Sequence, residues 1–383
     1  MRFLHLADLH IGKRLNEFNL IEDQRYILDQ IVQLALEQEA DGVLIAGDVY
    51  DRSQPSTEAV ELLDDFLTRL SSNNLVVFMI SGNHDSPERL SFGSRILEKN
   101  RLYVAGGFQG TLNKVTVEDD YGPLHIHLLP FIRPAHIRSR FAERIESFDE
   151  AVEAVLSTQE IDTKERNILL AHQFVVSGDK QPELSDSEVT PVGGLDAVDA
   201  SLFRSFDYVA LGHLHRPQHI GSETIRYSGS PLKYSFSEAR QPKSVTVIQV
   251  GAKGDLKLEQ YSLKPLRDLR EIKGPIAELV RLGKEDKEGA EDYLHITLTD
   301  EEEIYDALGQ LRPVFPNLMA LDFENRRTGS TAQAQIAAAE ELERKSPLEL
   351  FASFYELQNG RELSPEETSV MEEIFQEAGG AEL

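Results

Sequence analysis

The chain has 383 residues, with 40 % apolar and 27 % charged side chains, ordinary values for a soluble globular protein. That length exceeds the usual size of one hydrophobic core, so a large domain with one or two smaller ones is expected. The absence of cysteine excludes disulfides, iron–sulfur clusters and thiolate zinc sites, and the net charge of −27 argues against an unaided electrostatic grip on a polyanion.

Part of that acidity is segregated. From residue 331 onward twelve glutamates face only Arg344, Lys345 and Arg361, so about a third of the net charge lies there. No apolar run approaches the ~20 residues of a membrane helix. The opening residues lack a charged-then-apolar signal pattern, so a cytoplasmic location without membrane contact is expected.

Residues 1–265 alternate strand-like and helix-like patterns. Ile21, Leu28, Ile31, Val32, Ala35 and Leu36 recur at helical spacing between Asp8 and Asp48, which predicts a β-α-β unit. Residues 57–70, 88–100 and 135–156 read as further helices, and 122–130 and 244–250 as strands. The expected fold class is α/β, a layered β-sandwich flanked by helices.

The pattern shifts after Leu266. Residues 271–282, 293–298, 301–311 and 317–323 read as a small strand–helix–strand domain spanning 266–328, and 329–345 as a polar linker. Within 346–383, Ser346-Pro347-Leu348-Glu349 and Ser364-Pro365-Glu366-Glu367 are helix-start signals, with Asn359-Gly360 as the turn between two helices. Leu350, Phe351, Phe354 and Leu357, then Val370, Met371, Ile374 and Phe375, give these helices apolar stripes. Two short helices cannot bury such surface against each other alone, so a tail docking on a partner is expected.

Five apolar runs end on chemistry-bearing residues. Residues 2–7 lead to Asp8 and His10, 42–46 to Gly47-Asp48, and 76–81 to Gly82-Asn83-His84-Asp85. Residues 167–171 lead to His172, and 207–211 to Gly212-His213-Leu214-His215. Runs apolar on both faces fit buried parallel strands, and α/β proteins bind ligands beyond strand C-termini. Asp8 with His10, and His213 with His215, are two apart, so in extended chain each pair faces one way. Glycines 47, 82 and 212 permit sharp turns and close approach. The donors are carboxylate, amide and imidazole without sulfur, suited to manganese, iron or zinc. Such a set points to two metals clamping a phosphoester during in-line attack. A histidine is the natural proton donor to the leaving oxygen.

Singly these motifs are weak, and His5, His125, His127, His219 and His295 read as ordinary strand or loop histidines. Together and in this order they resemble the calcineurin-like metallophosphoesterase superfamily. The runs 3–12, 46–51, 212–218 and 227–232 further resemble its bacterial DNA nuclease subunits, over the whole chain. The resemblance implies that Asp8, His10, Asp48 and His215 bind one metal and Asp48, Asn83, His172 and His213 the other, most commonly Mn²⁺. His84 would protonate the leaving group or stabilise the transition state without being a ligand. It also implies exonuclease and hairpin endonuclease activity in DNA repair and recombination. The implied assembly is a homodimer within a heterotetramer, with a coiled-coil ATPase whose base the tail clasps and a 266–328 domain acting as a cap. Asp51 departs from a histidine common in archaeal and eukaryotic relatives. No Gly-x4-Gly-Lys-[Ser/Thr] loop is present, so an ATP site belongs to the partner. Lys13 and Arg14 are candidate phosphate contacts, whereas Arg133, Arg138, Arg140 and Arg144 read first as a solvated helix face. The competing functions are a cyclic-nucleotide phosphodiesterase or protein phosphatase, which would need neither cap nor tail, and a catalytically silent scaffold, against which the filled donor set stands.

Overall fold

The computed structural model describes residues 1–324 apart from 143, 179–180, 189–195, 288 and 303, together with 355, 364, 368, 370 and 371. The expected linker at 329–345 and nearly all of the expected helical tail at 346–383 lie outside the described residues.

Two six-stranded mixed sheets carry the structure. The first runs in the order Leu256–Ser262, Ser244–Val250, Arg2–Leu6, Gly42–Ala46, Val76–Ile80, Leu102–Ala105. Its last four strands are parallel and its first two antiparallel. The second runs Gln218–Ile220, Ser222–Tyr227, Tyr208–Gly212, Arg166–His172, Gly122–Leu129, Asn113–Asp119. Its central strands are parallel and both edges antiparallel. The strands Gly42–Ala46, Val76–Ile80 and Tyr208–Gly212 are buried at every position, as their unbroken apolar runs require.

The alternation of side chains sorts three apolar layers. Phe3, Leu44, Phe78 and Ile80 of the first sheet meet Leu124, Ile126, Leu170 and Tyr208 of the second. On the outer face of the first sheet, Leu4, Val43 and Val77 pack with the helices Ile21–Glu37 and Thr57–Ser72. The second helix starts at Ser56, whose hydroxyl accepts from the Ala59 N–H, and buries Ala59, Leu62, Leu63, Phe66 and Leu70 at helical spacing. The other outer face packs against the helix Phe148–Leu156, opened by a reciprocal Ser147–Glu150 cap.

One polar tie crosses the layer between the sheets. Nε2 of His5 lies 3.1 Å from the Leu211 carbonyl, which can only accept, so Nε2 carries the proton. Nδ1 then accepts the Tyr208 hydroxyl proton at 2.9 Å. Burial holds this ring neutral, with its pKa down to about 3. His5 is therefore a structural histidine.

Several elements differ from the sequence reading. The helix expected over 88–100 is broken into Pro87–Leu90, Ser94–Leu97 and a 3₁₀ turn Glu98–Asn100, because Gly93 adopts φ +73°. The helix expected over 135–156 is likewise interrupted: only Pro134–Ile137, the 3₁₀ turn Arg138–Arg140 and Phe148–Leu156 form, Ser147 restarting the last. Leu36 faces solvent at 43 % exposure, since Ala35 already completes the buried stripe. The hairpin Arg14–Leu15 with Phe18–Asn19 carried no sequence signal strong enough to be expected.

Further on, the strands Leu269–Gly274, Tyr293–Leu298 and Leu318–Phe323 form a three-stranded sheet, accompanied by helices Ile276–Glu285 and Ala307–Leu311. By packing, the chain divides into two compact units. One is Met1–Ile272 with Gly283–His295 and Arg312–Ala320, and the other Lys273–Leu282, Ile296–Leu311 and Leu321–Leu383. Among the described residues, no helix is long and apolar enough to cross a membrane.

Replacing Tyr208 by Phe removes the hydroxyl that donates to Nδ1 of His5 and leaves that acceptor buried. The expected cost is about 1–3 kcal/mol in urea unfolding, with the native circular dichroism retained. An unchanged midpoint would show that the tie carries no stability.

Candidate metal centre

The C-terminal ends of the parallel strands in both sheets open on one edge, and the loops there fold back over it. The Asp8 N–H donates to the Gly47 carbonyl and the His10 N–H to the Asp48 carbonyl, each at 3.0 Å. Asp8, His10, Asp48 and His213 all occupy the left-handed region, with φ of 53°, 43°, 48° and 105°. For non-glycine residues such backbone is costly, and it persists where surroundings over-determine it, typically at functional sites. The simple expectation that residues two apart in extended chain face one way is therefore corrected. Asp8 and His10 converge through left-handed turns, and His213 and His215 diverge toward different partners.

Glycine makes this crowding possible. A Cβ on Gly82 would lie 2.1 Å from Oδ1 of Asp48, and one on Gly212 only 2.0 Å from the Ala46 carbonyl. Gly47, at φ +89°, passes directly beneath the His172 ring.

All eight chemistry-bearing residues expected from the sequence meet here. Nε2 of His10 and Nε2 of His215 face each other at 3.2 Å. Oδ2 of Asp48 lies 3.5 Å from Nε2 of His172, 3.6 Å from Nε2 of His10 and 4.0 Å from Nε2 of His84. Oδ1 of Asn83 sits 3.1 Å from Nε2 of His172 and 2.9 Å from Nδ1 of His213. Both carboxylate oxygens of Asp8 accept the His213 backbone N–H. Three sets, Asp8–His10–His215, His10–Asp48–His84 and Asp8–Asp48–His172, each bring their donor atoms within 4.8 Å of one another. Asp8, His10, Asp48, His172 and His215 are buried, while Asn83, His84 and His213 line the open side.

The tautomers test whether cations fit. Nδ1 of His172 lies 2.8 Å from the Ala46 carbonyl and must donate to it, so a neutral ring offers its lone pair at Nε2. Nε2 faces two acceptors, the Asn83 and Asp48 oxygens, so either a second ring proton or a cation must stand there. Nδ1 of His215 faces Oε1 of Glu238 at 3.3 Å, which turns its Nε2 lone pair toward Nε2 of His10. Acceptor atoms at such distances need a proton or a cation between them. The donor set fits divalent cations of the manganese, iron or zinc type.

Electrostatics agrees. Burial opposes charge on Asp48, yet His172, His10 and His84 outweigh it and hold the carboxyl well below its ordinary range. Burial likewise opposes charge on His172, but Asp48 and Asp8 raise it to about 9, so without a cation a second proton occupies Nε2, the place a cation would take. Burial pushes His213 down to about 3 and His10 well below the usual range, keeping both rings neutral as ligation requires.

Of the supporting groups, the sequence motifs named Asp85 but not its role, and left Gln24, Glu188, Glu238 and Lys243 unmarked. Asp85 accepts the N–H groups of Gly82, Val49 and Tyr50 at 2.8, 3.1 and 2.9 Å, clamping two loops together. Nε2 of Gln24 holds the His10 carbonyl at 2.7 Å. Behind His215, Glu238 is fully buried and takes Nζ of Lys243 at 2.6 Å and the Ser187 hydroxyl at 2.6 Å. Glu188 accepts the His215 backbone N–H. The motif around Ser228–Leu232 was the only signal pointing there, through Ser230, whose hydroxyl meets Lys243 at 3.0 Å.

The remaining candidates fall as follows. Lys13 pairs with Asp51 at 2.8 Å at the rim, and the Asp51 carbonyl accepts Nδ1 of His84 at 2.9 Å. Arg14 bonds the Glu17 carbonyl at 2.6 Å. Arg138 is committed to the Ile145 carbonyl and Arg144 to Glu146, while Arg133 lies over the Phe131 ring. His125 bonds Thr116 and Glu165, and His127 bonds Asn167, away from the centre.

Glu238→Gln is expected to weaken divalent-metal binding about 10–100-fold, because the ring it orients loses its charged partner. Adding Lys243→Met should recover stability but not affinity. Metal titration against a chelator reads this directly, and wild-type affinity in Glu238→Gln would refute the role.

Comparison with known proteins adds the family. The calcineurin-like phosphoesterase family matches residues 1–217, and the type 5 capsule protein repressor C-terminal domain matches residues 265–359. The chain is 37 % identical over 328 residues to the SbcD subunit of the nuclease SbcCD from Staphylococcus epidermidis, covering 84 % of this chain and 85 % of that protein. It is 32 % identical over 380 residues to the same subunit of the Staphylococcus saprophyticus nuclease, covering 98 % of each. Among solved structures, a dimetal phosphatase from Danio rerio aligns at 13 % identity and a TM-score of 0.41, over 68 % of this chain and 96 % of that one. At the identities of the two staphylococcal proteins, which extend over nearly its whole length, the chain belongs to the calcineurin-like phosphoesterase family, in the branch of the SbcD nuclease subunits.

Proposed function

We propose that this chain is a metal-dependent DNA nuclease subunit that hydrolyses phosphodiesters with two divalent cations and acts with an SbcC-type coiled-coil ATPase. The observation that carries the reading is the shared position of Asp48. Its carboxylate stands between one donor set, Asp8, His10 and His215, and another, Asn83, His172 and His213.

Each side chain then has a role its surroundings support. Asp8, His10, Asp48 and His215 hold one cation, and Asp48, Asn83, His172 and His213 the other. The cations, Mn²⁺ in this reading, offset the phosphodiester charge and make water nucleophilic near neutral pH. His84 is the proton donor to the leaving oxygen. Its Nδ1 donates to the Asp51 carbonyl, which aims Nε2 at the open side of the cluster, and its ring is half-exposed where a substrate enters. Asp48 fixes that ring from behind by accepting the His84 N–H at 2.8 Å.

The acidity of the chain supports a division of labour. A protein with net charge −27 gains little from bulk electrostatic attraction to DNA, so the proposed partner supplies most of the binding. In this reading, residues 266–328 act as a cap beside the DNA path. The segment 346–383 docks on the base of the ATPase coiled coil, and two copies of each protein assemble for double-strand exonuclease and hairpin endonuclease work in repair and recombination.

His84→Leu should retain both cations and lose about 10²–10⁴-fold in hydrolysis of a single-stranded oligonucleotide. Metal analysis alongside the rate decides the matter, since wild-type cleavage removes the acid assignment and lost metal makes His84 a ligand instead. Deleting the residues after Gln335 should leave Mn²⁺-dependent cleavage intact while abolishing co-purification with the ATPase. Retained co-purification would place the docking surface elsewhere.

A further inference from the structure

Beside the metal centre lies a cavity of about 320 Å³ whose edge is made by Asn83 and His213, two of the proposed ligands. Its size falls at the low end of small-molecule sites, roughly 300–1,000 Å³. Nothing in the two-metal reading uses it.

Its walls are aromatic. Phe131 and Phe148 approach at 6.2 Å between ring centroids with planes 47° apart, and both are only half-buried. Phe174 packs edge-on against His213 at 6.3 Å, and Phe131 edge-on against His172 at 6.2 Å, so the aromatic wall is continuous with the ligand rings. The guanidinium of exposed Arg133 lies 5.5 Å over the Phe131 ring.

Polar side chains complete the wall. Gln173 lines the cavity at 0 % exposure, and its Nε2 donates to the Ile132 carbonyl at 3.3 Å. Its Oε1 meets no donor among the described residues. The carboxylate of Asp196, also on the wall, disfavours phosphate inside the cavity and leaves it to the metal edge.

The geometry points to a base-binding site: the cavity takes the nucleobase of the nucleotide whose phosphate lies at the metals, unstacked from its neighbour and laid against the phenyl wall. This rests on the nuclease reading above and deepens it. Stacking on rings is tolerant of base identity, and a base can enter only from a single strand, a frayed end or a hairpin tip. Arg133, exposed over the Phe131 ring, covers the open side.

The test is calorimetric binding of deoxyadenosine 5′-monophosphate and of 2-deoxyribose 5-phosphate to the full chain loaded with Mn²⁺. The nucleotide should bind about tenfold more tightly, within the range that base–aromatic stacking provides. Phe131→Leu and Phe148→Leu, tested singly, should each shrink that difference while leaving the sugar phosphate unchanged. Equal binding of the two ligands by the wild type overturns the site, as does a difference that survives both substitutions. Cleavage of a single-stranded oligonucleotide and of a chromogenic diester is measured on the same preparation. Diester hydrolysis without DNA cleavage removes the nuclease reading, whereas DNA cleavage with equal binding removes the base site alone.

Discussion

A buried carboxylate ringed by imidazoles is the constraint on which this molecule is organised. Asp48 is 3 % exposed, and ring nitrogens of His172 and His10 approach one of its oxygens within 3.6 Å. A charge so far from water is tolerable only beside opposite charge, and the depressed pKa of Asp48 and raised pKa of His172 both report that demand. The ring nitrogens and amide oxygen facing one another across about 3 Å need protons or cations between them.

Much of the surrounding architecture keeps that arrangement from relaxing. Four residues of the centre hold left-handed backbone, and three glycines leave no room for a methyl group beside them. The loops are tied by Asp85 from one side and by Gln24 and the Glu238–Lys243 pair from the other. Behind them stand the fully buried strands of both sheets, joined by the neutral His5–Tyr208 contact. Local strain is thus sustained by a rigid, apolar scaffold that has no competing use for those loops.

The charge of the chain and the chemistry of the site are compatible on these terms. In the proposed reading attraction to phosphate is confined to the cations, while the adjoining cavity offers aromatic rings, whose affinity for a base does not depend on net charge. Lys13, a basic residue at the rim of the centre, is paired to Asp51, so it adds little free positive charge there.

The sequence by itself determined the strands and the identity of the donors. An apolar run buried on both faces has no other stable place than inside a parallel sheet, and such strands deliver whatever follows them to one edge. The long helices 21–37 and 57–72 were legible for a related reason, through the period of their apolar residues. Only the tertiary structure decided how the donors meet. Left-handed turns at Asp8 and His10, rather than extended alternation, aim their side chains, and nothing local in the sequence specifies them. Glu188, Glu238, Lys243 and Gln173 were equally hidden, because a buried polar residue reads like any surface one until the fold brings its partner, or leaves it without one. Contacts between residues tens to hundreds of positions apart belong to packing, which no periodicity encodes.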